Sequence, residues 1–482
     1  MNEDTNPNFH NSKSKISYPL PLTYCHSISY LIKSSKKTYR GISLKIRLLT
    51  YEIGSTTTKV RAFSDDLGKL RLISMAMAPT SISSGDVCIG MYKAKEILEK
   101  STGTLKPDIS LASSSAAGGL KMVVAGLTLD MTVRAAKEAS LGAGAILYHY
   151  IVGDISIHDI NKIKDIGPNI ILIAGGVDFG EKKKVIEIAK VFAESNIDCP
   201  YIFAGNASAS KEISELFLKN KKNITITENV YPRVDTLNMA PARAVIQKIF
   251  SKHILHAPGM ENIDSLIDGE ILPVPKSVMQ GLEFISRKKS DIMAIDVGGA
   301  TTDIHSITEG SSKFSSILIE PEPLMKRTVE GDLGIFVNAK QVVKLSKDVY
   351  LEDNIKDLKP LPSTPIEIKL SQILTGYCVK YGLERHAGYL FDYFGPTGKK
   401  KLAKGKDLTA IKYIIGTGGA LSRLPGGENL IRKYLVAEVF DRLLPMKDAN
   451  IIIDKDYLLG SIGLISYHNP QWALDLAETF II

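Results

Sequence analysis

Glu52-Ile53-Gly54-Ser55-Thr56-Thr57-Thr58-Lys59 and Asp296-Val297-Gly298-Gly299-Ala300-Thr301-Thr302-Asp303 are two copies of one pattern. Each ends an apolar strand with an acidic residue, turns on a glycine and a small residue, and opens a second strand with Thr-Thr. The second copy begins 244 positions after the first, Asp296 against Glu52. Two such hairpins predict a duplicated domain. Glycine permits the positive φ of a tight turn, the lack of bulk lets backbone N–H groups approach an anion, and the hydroxyls add donors. Two such loops facing each other would grip a polyphosphate from both sides. The strand-end acid does not bind phosphate, but it can hold a hydrated Mg2+ or orient water, and Asp296 and Asp303 are best placed for that. One copy alone would be no more than a glycine-containing hairpin. A third element shifts the balance: Ile414-Ile415-Gly416-Thr417-Gly418-Gly419-Ala420-Leu421 ends a strand in a glycine-rich turn before a helix. There the backbone can lie flat against a base or ribose, and a helix N-terminus faces phosphate.

Outward from the first hairpin, strands are predicted over 43–53, 59–63 and 71–78, then a helix at 94–100, a strand at 108–112 and an Ala-rich helix over 130–149. From Ile170 the pattern alternates, with strands at 170–174, 200–204 and 223–227 and helices at 181–195, 210–219 and 239–254, which predicts parallel α/β packing. The stretch 261–290, with Pro273 and Pro275, reads as a connector. A second meander opens at Asp291, followed by helices near 333–347 and 366–381. A basic surface turn at Lys399, Lys400, Lys401 and Lys404 comes next, then a strand at 411–415, a helix at 429–443, a strand at 450–453 and an apolar helix at 457–467. Residues 1–45 read as a flexible basic extension without the apolar h-region of a secretory signal. The expected domains are 46–168 and 291–482, joined by the 261–290 connector, with 169–260 as an α/β segment that we expect to be an added client-binding subdomain.

The composition excludes several classes. Of 482 residues, 44% are hydrophobic and 23% charged, ordinary globular usage. No stretch approaches the roughly 20 apolar residues of a membrane span, so the expectation is a soluble chain without a membrane partner, and singly placed cysteines read as reduced thiols make it an expected cytoplasmic one. The net charge of +8 is concentrated in residues 1–47, which hold eight basic residues against Glu3 and Asp4. The nearly neutral remainder has no basic stripe, so nucleic acid is not an expected partner. Cys25, Cys88, Cys199 and Cys378 stand singly, without the spacing of a zinc site or a cysteine-bound cluster.

The order hairpin, hairpin, glycine turn resembles the actin, sugar-kinase and heat-shock chaperone ATPase superfamily over residues 46 to about 468. Within it, the runs YEIGSTTTKV, SSSAAGGLKMVVAGL, ILIAGGVDFG, TENVYP, IDVGGATTDIHS, KRTVEGDLG and GKDLTAIKYIIGTGGAL resemble the glutamate-mutase accessory family called GlmL or MutL, which shares only its name with mismatch-repair MutL. The resemblance implies an α/β fold class: duplicated actin-like (ribonuclease H-like) ATPase domains with a nucleotide cleft between them and an additional α/β segment. It implies ATP and Mg2+ as cofactors and a weak ATPase of chaperone-like character. The implied partners are subunits of an adenosylcobalamin-dependent mutase, and homodimerisation stays open. By matching position, Gly54, Ser55, Thr56 and Thr57 would form the first phosphate loop. Gly298, Gly299, Ala300 and Thr301 would hold the β and γ phosphates, Asp296 would bind Mg2+ through water, and Asp303 would position the metal or the attacking water. Gly416, Gly418 and Gly419 would contact adenosine. Lys59 either sits near the phosphates or caps the hairpin. Glu52, where most of the superfamily has Asp, carries its carboxylate one methylene further out, which weakens its case as a metal ligand and suggests slow hydrolysis.

Other residues have two readings each. Ser113, Ser114 and Ser115, before Gly118-Gly119, either line the cleft or form a polar turn into a helix. Gly175, Gly176 and Asp178 suit either ligand binding at strand ends or a βα turn with Asp as N-cap. Glu330, Gly331 and Asp332 stand where related ATPases start a cleft-lining helix. His305 lacks the glycine of a DxHxxG cobalamin motif and reads as a hydrogen-bonded sheet residue. The rival functions are a small-molecule kinase using Asp86, Asp108 or Asp130, a dehydratase activator with a shared cysteine cluster, and a nucleotide-binding scaffold without turnover.

Overall fold

The computed structural model describes residues 45–481 except 67, 82–84, 117–119, 256–258, 397 and 436–440. The expected extension therefore lies outside the described residues, as does Gly118-Gly119. In chain order the strands are β1 (Ile46–Ile53), β2 (Thr57–Asp66), β3 (Lys69–Pro79), β4 (Ile109–Ser114), β5 (Lys121–Gly126), β6 (Ile146–Val152), β7 (Ile170–Ile173), β8 (Tyr201–Phe203), β9 (Ile224–Ile226), β10 (Leu272–Pro273), β11 (Ile292–Val297), β12 (Thr302–Ile307), β13 (Met325–Glu330), β14 (Tyr389–Gly395), β15 (Gly398–Lys404), β16 (Tyr413–Thr417) and β17 (Asn450–Ile453).

Two five-stranded sheets share one topology. The first has the order β3-β2-β1-β4-β10 and the second β13-β12-β11-β16-β17. In each, three strands form an antiparallel meander and two more join parallel to the meander's first strand. This is the duplicated actin-like α/β architecture. A buried strand needs both faces covered, which explains the nearly unbroken apolar runs of β11 and β16.

A third sheet, entirely parallel, is inserted between β4 and β10 with the order β6-β5-β7-β8-β9. Numbered within itself this is 2-1-3-4-5, a doubly wound order. The expected α/β segment started at 169, but its sheet already includes β5 and β6. The predicted helix 130–149 is corrected accordingly. Helical residues end at Gly142, Gly144 adopts φ 96°, and Ile146–Val152 turns into a strand. Glycines at 142 and 144 break the helix, and the following run ILYHYIV has the β-branched and aromatic residues of a strand.

Two further expectations are overturned. The basic turn at 399–404 is strand β15, paired with β14 in a ribbon, and its lysines fit an exposed strand. The stretch 261–290 is no plain connector, because Val274–Ser286 is a helix begun by Pro273 and Pro275, where proline's fixed φ and missing N–H are no handicap. That helix is central. With Leu458–Ser466 it lies in a core shared by both lobes, formed by Leu48, Phe63 and Leu111 from the first and Ile292, Ala294 and Ile415 from the second. The two helices cross closely enough that a side chain on Gly281 would overlap the Leu459 carbonyl, and one on Gly463 would overlap the Ser277 carbonyl.

This crossing makes a stability prediction. Gly463→Ala should lower stability by roughly 1–3 kcal/mol through overpacking, whereas Gly331→Ala, where a Cβ would meet nothing within 4 Å, should stay within about 0.5 kcal/mol. Urea midpoints of the two variants beside wild type check this, and equal midpoints would contradict the close crossing.

Candidate functional site

The hairpins match residue for residue. β1 and β2 pair Glu52 with Lys59 and Ile53 with Thr58, while β11 and β12 pair Asp296 with Asp303 and Val297 with Thr302. Each turn closes with one equivalent bond, Gly54 N–H to the Thr57 carbonyl at 3.0 Å and Gly298 N–H to the Thr301 carbonyl at 2.9 Å. The loops face each other, since a Cβ on Gly299 would stand 3.5 Å from Thr56 Cγ2. Each is held from behind. The Thr80 hydroxyl donates to the Gly54 carbonyl at 2.8 Å, and the Phe336 and Val337 amides donate to the Gly299 carbonyl at 2.9 and 2.8 Å. The amides of Ser55, Thr56, Gly299 and Ala300 have no protein acceptor among the described residues. Loops with anchored carbonyls and unengaged N–H groups are built to receive an anion.

Charge is distributed unevenly around them. Glu52 forms ion pairs with Lys59 and with Arg61, the latter at 3.1 Å. Burial would raise the Glu52 carboxyl, but the two cations outweigh it and hold it below its usual range. Lys59 therefore neutralises Glu52 at the hairpin base. Its ammonium also lies 4.1 Å from the centre of the Tyr457 ring, and Arg423 Nε donates to the Tyr457 hydroxyl at 3.2 Å. Asp303 is equally committed: one oxygen accepts from Arg327 Nε at 2.9 Å and the other from Thr301 Oγ1 at 3.3 Å. Asp296 stands apart, with no hydrogen bond or ion pair among the described residues. Burial, then Asp303 and Glu52, push its carboxyl up to about 7.

The glycine turn meets this carboxylate. Thr417 of β16 is the register partner of Asp296, and Gly418 adopts φ 82°, where any side chain would overlap the Asp296 carboxylate. Gly419 opens to free space, whereas Gly416 turns inward, a Cβ there standing 2.7 Å from Ile431 Cδ1. Sequence reasoning missed Asp454, whose buried carboxylate caps the helix Leu458–Ser466 through the Leu458 amide at 2.7 Å and accepts from Thr417 Oγ1 at 3.1 Å. It also missed Arg61, Arg327, Arg423 and Tyr457. Period-2 alternation on β2 sets Arg61 on the same face as Lys59, the one local signal available.

The remaining candidates lie elsewhere or are otherwise engaged. Asp332 is gripped by both terminal nitrogens of Arg385 at 2.6 and 2.8 Å, and Glu330 by the same arginine at 2.7 Å. Ser113 and Ser114 are buried on β4, and Ser115 donates its amide to Ile53. Gly175, Gly176 and Asp178 follow β7 in the inserted sheet, where Asp178 accepts from the Ala207 amide and the Asn229 side chain. His305 is buried with neither ring nitrogen hydrogen-bonded among the described residues, and burial pushes it well below its usual pKa, so it is neutral and not the bonded residue expected. Of the carboxylates a kinase would need, Asp86 caps a helix, Asp108 pairs with Arg47 and Asp130 with Lys404. Cys88, Cys199 and Cys378 are free thiols, and no group of three His, Cys, Asp or Glu among the described residues could hold a metal unaided.

The MutL protein family matches residues 48–481. The chain belongs to that family. Protein MutL of Clostridium tetanomorphum is 35% identical over 465 residues, covering 90% of this chain and 99% of that relative. Among solved structures, nucleotide-free acetone carboxylase aligns with 88% of this chain and 70% of its own at 10% identity and a TM-score of 0.38. The nucleotide-free diol dehydratase-reactivating factor aligns with 81% and 94% at 14% identity and a TM-score of 0.31. These structural likenesses are shallow, and the architecture rests on the strand orders. No helix among the described residues is long and apolar enough to cross a membrane.

A half-buried carboxylate without an ion-pair partner among the described residues fits Mg2+, which takes one or two carboxylates and keeps several waters. Of the three expected metal carboxylates Asp296 alone is uncommitted, because Glu52 and Asp303 already hold cations. A raised carboxyl stabilises the fold when protonated, and that contribution fades as pH rises from about 4 through about 7. Asp296→Asn should therefore stabilise the protein at pH 8 by about 1–2 kcal/mol, allowing for solvent reaching the carboxylate through the cleft. The gain should shrink toward pH 5. Thermal unfolding at the two pH values checks it, and a destabilised variant at pH 8 would contradict an unpaired Asp296.

Proposed function

We propose that this chain binds Mg-ATP between its two hairpins and is a chaperone-like accessory protein for an adenosylcobalamin-dependent mutase of the glutamate-mutase kind. The observation that carries the nucleotide reading is the pair of equivalent turns, closed by the same bond and facing each other with unengaged amides. Membership of the MutL protein family supports the accessory role.

In this reading the loops 54–57 and 298–301 hold the phosphates from opposite sides, through the amides of Ser55 and Thr56 and of Gly299 and Ala300, and Gly419 leaves room for the nucleoside. Asp296 holds the hydrated Mg2+, which when bound offsets phosphate charge. Thr301 and Asp303 orient the water or the terminal phosphate. Closure of the lobes on nucleotide would alter their setting relative to the inserted sheet, which we assign to client contact. A change of client affinity between the two states is what would let ATP drive exchange on the mutase.

A second reading is favoured by one observation. Glu52 and Asp303, the two carboxylates expected beside Asp296 at the metal, are both held in ion pairs. A nucleotide-binding scaffold without turnover would have this arrangement, whereas an ATPase with it would hydrolyse slowly.

Calorimetry with Mg-ATP and a phosphate-release assay separate the possibilities. Wild type should bind and hydrolyse slowly, and Asp296→Ala should lose roughly 100-fold in hydrolysis. Binding without phosphate release would favour the scaffold, and an absence of binding would refute the cleft.

A further inference from the structure

Arg327 is 2% exposed, lies on β13 opposite His305, and reaches in two directions. Its Nε and Nη2 both donate to Asp303 Oδ1, the first at 2.9 Å. Its Nη1 donates to the carbonyl of Leu141 at 2.7 Å. Leu141 is in the last turn of the helix Arg134–Gly142, which connects β5 to β6 within the inserted domain. Since Asp303 Oδ2 accepts from Thr301 Oγ1, an unbroken line of hydrogen bonds runs Thr301–Asp303–Arg327–Leu141. It begins in the turn of the second hairpin and ends at a helix of the inserted sheet.

A guanidinium is planar with its donors fixed in a fork, so it cannot follow Asp303 without changing its angle to Leu141. Arg327 and Asp303 are both buried, so the contact between them has no easy substitute. The same helix is anchored to neighbouring residues of the second lobe. Arg134 pairs with Glu320 and donates to the Pro321 carbonyl, and Glu138 lies 3.9 Å from Lys326. The helix is thus set to follow the strand that carries Arg327.

We propose that Arg327 is a positioning residue that sets the Asp303 carboxylate for the nucleotide reaction and transmits its position through Leu141 to the inserted domain. The proposal rests on the nucleotide reading above, but the link from Asp303 to Leu141 can be tested without nucleotide.

The test is hydrogen exchange of residues 134–145 in the full chain, with and without Mg-AMPPNP, for wild type, Arg327→Lys and Asp303→Asn, with phosphate release measured alongside. In wild type, nucleotide should change exchange at 134–145. Lysine keeps the charge but lacks the second arm, so Arg327→Lys should lose that response, with kcat down about tenfold and KM within about threefold. Without nucleotide, Asp303→Asn should already speed exchange at 134–145. A response retained in Arg327→Lys, or unaltered exchange in nucleotide-free Asp303→Asn, overturns the proposal. If Arg327→Lys exchanges faster everywhere and has not folded properly, Asp303→Asn alone decides. If wild type binds no nucleotide while Asp303→Asn still alters 134–145, the nucleotide reading falls and the link stands.

Discussion

Four carboxylates, Glu52, Asp296, Asp303 and Asp454, are gathered near the two hairpin turns and the glycine turn, close enough to act on one another, and the structure depends on how their charge is met. In a low-dielectric setting carboxylates at such separations cannot all ionise without cations or hydrogen-bond donors to compensate. Glu52 is met by Lys59 and Arg61, Asp303 by Arg327, and Asp454 by a helix N-terminus and Thr417. Asp296 is left without an ion-pair partner among the described residues, with only the Lys59 charge, already paired to Glu52, acting on it from further off. The equivalence of the hairpins makes the difference legible, because Lys59 in the first occupies the position that Asp303 occupies in the second. The first hairpin is neutralised from within, and the second depends on an arginine from the next strand.

That dependence shapes the rest of the molecule. The strand that supplies Arg327 also abuts a helix of the inserted sheet, so the residue that compensates Asp303 is bonded at its other end to Leu141. The lobes are joined through a core of two closely crossing helices, not through a linker, so relative motion has to occur around the Gly281 and Gly463 contacts. Removing one member of a buried ion pair leaves the other uncompensated and typically costs about 3–5 kcal/mol. The cleft charges are consequently bound up with the stability of both sheets.

Much of this could be read in the sequence. Turn chemistry is local, so the two hairpins and the glycine turn were visible as Gly, Thr and acid at fixed offsets, and the alternation after Ile170 announced the parallel sheet. What escaped was set by contacts remote in sequence. Arg327 follows Asp303 at no recognisable spacing, and Tyr457 meets Lys59 and Arg423 only after both lobes have folded. The commitments of Asp332 to Arg385 and of Glu52 to Arg61 could not be foreseen from motif position. Two misreadings did have local signals: Gly142 and Gly144 mark the end of the helix once extended to 149, and the prolines at 273 and 275 begin a helix in the stretch read as a connector.

The most direct test of the central claim is a crystal structure with Mg2+ and a non-hydrolysable ATP analogue. The account predicts the phosphates between residues 54–57 and 298–301, with the metal on the Asp296 side. A triphosphate bound elsewhere, such as beyond the ends of β5 and β7 in the inserted sheet, would contradict it.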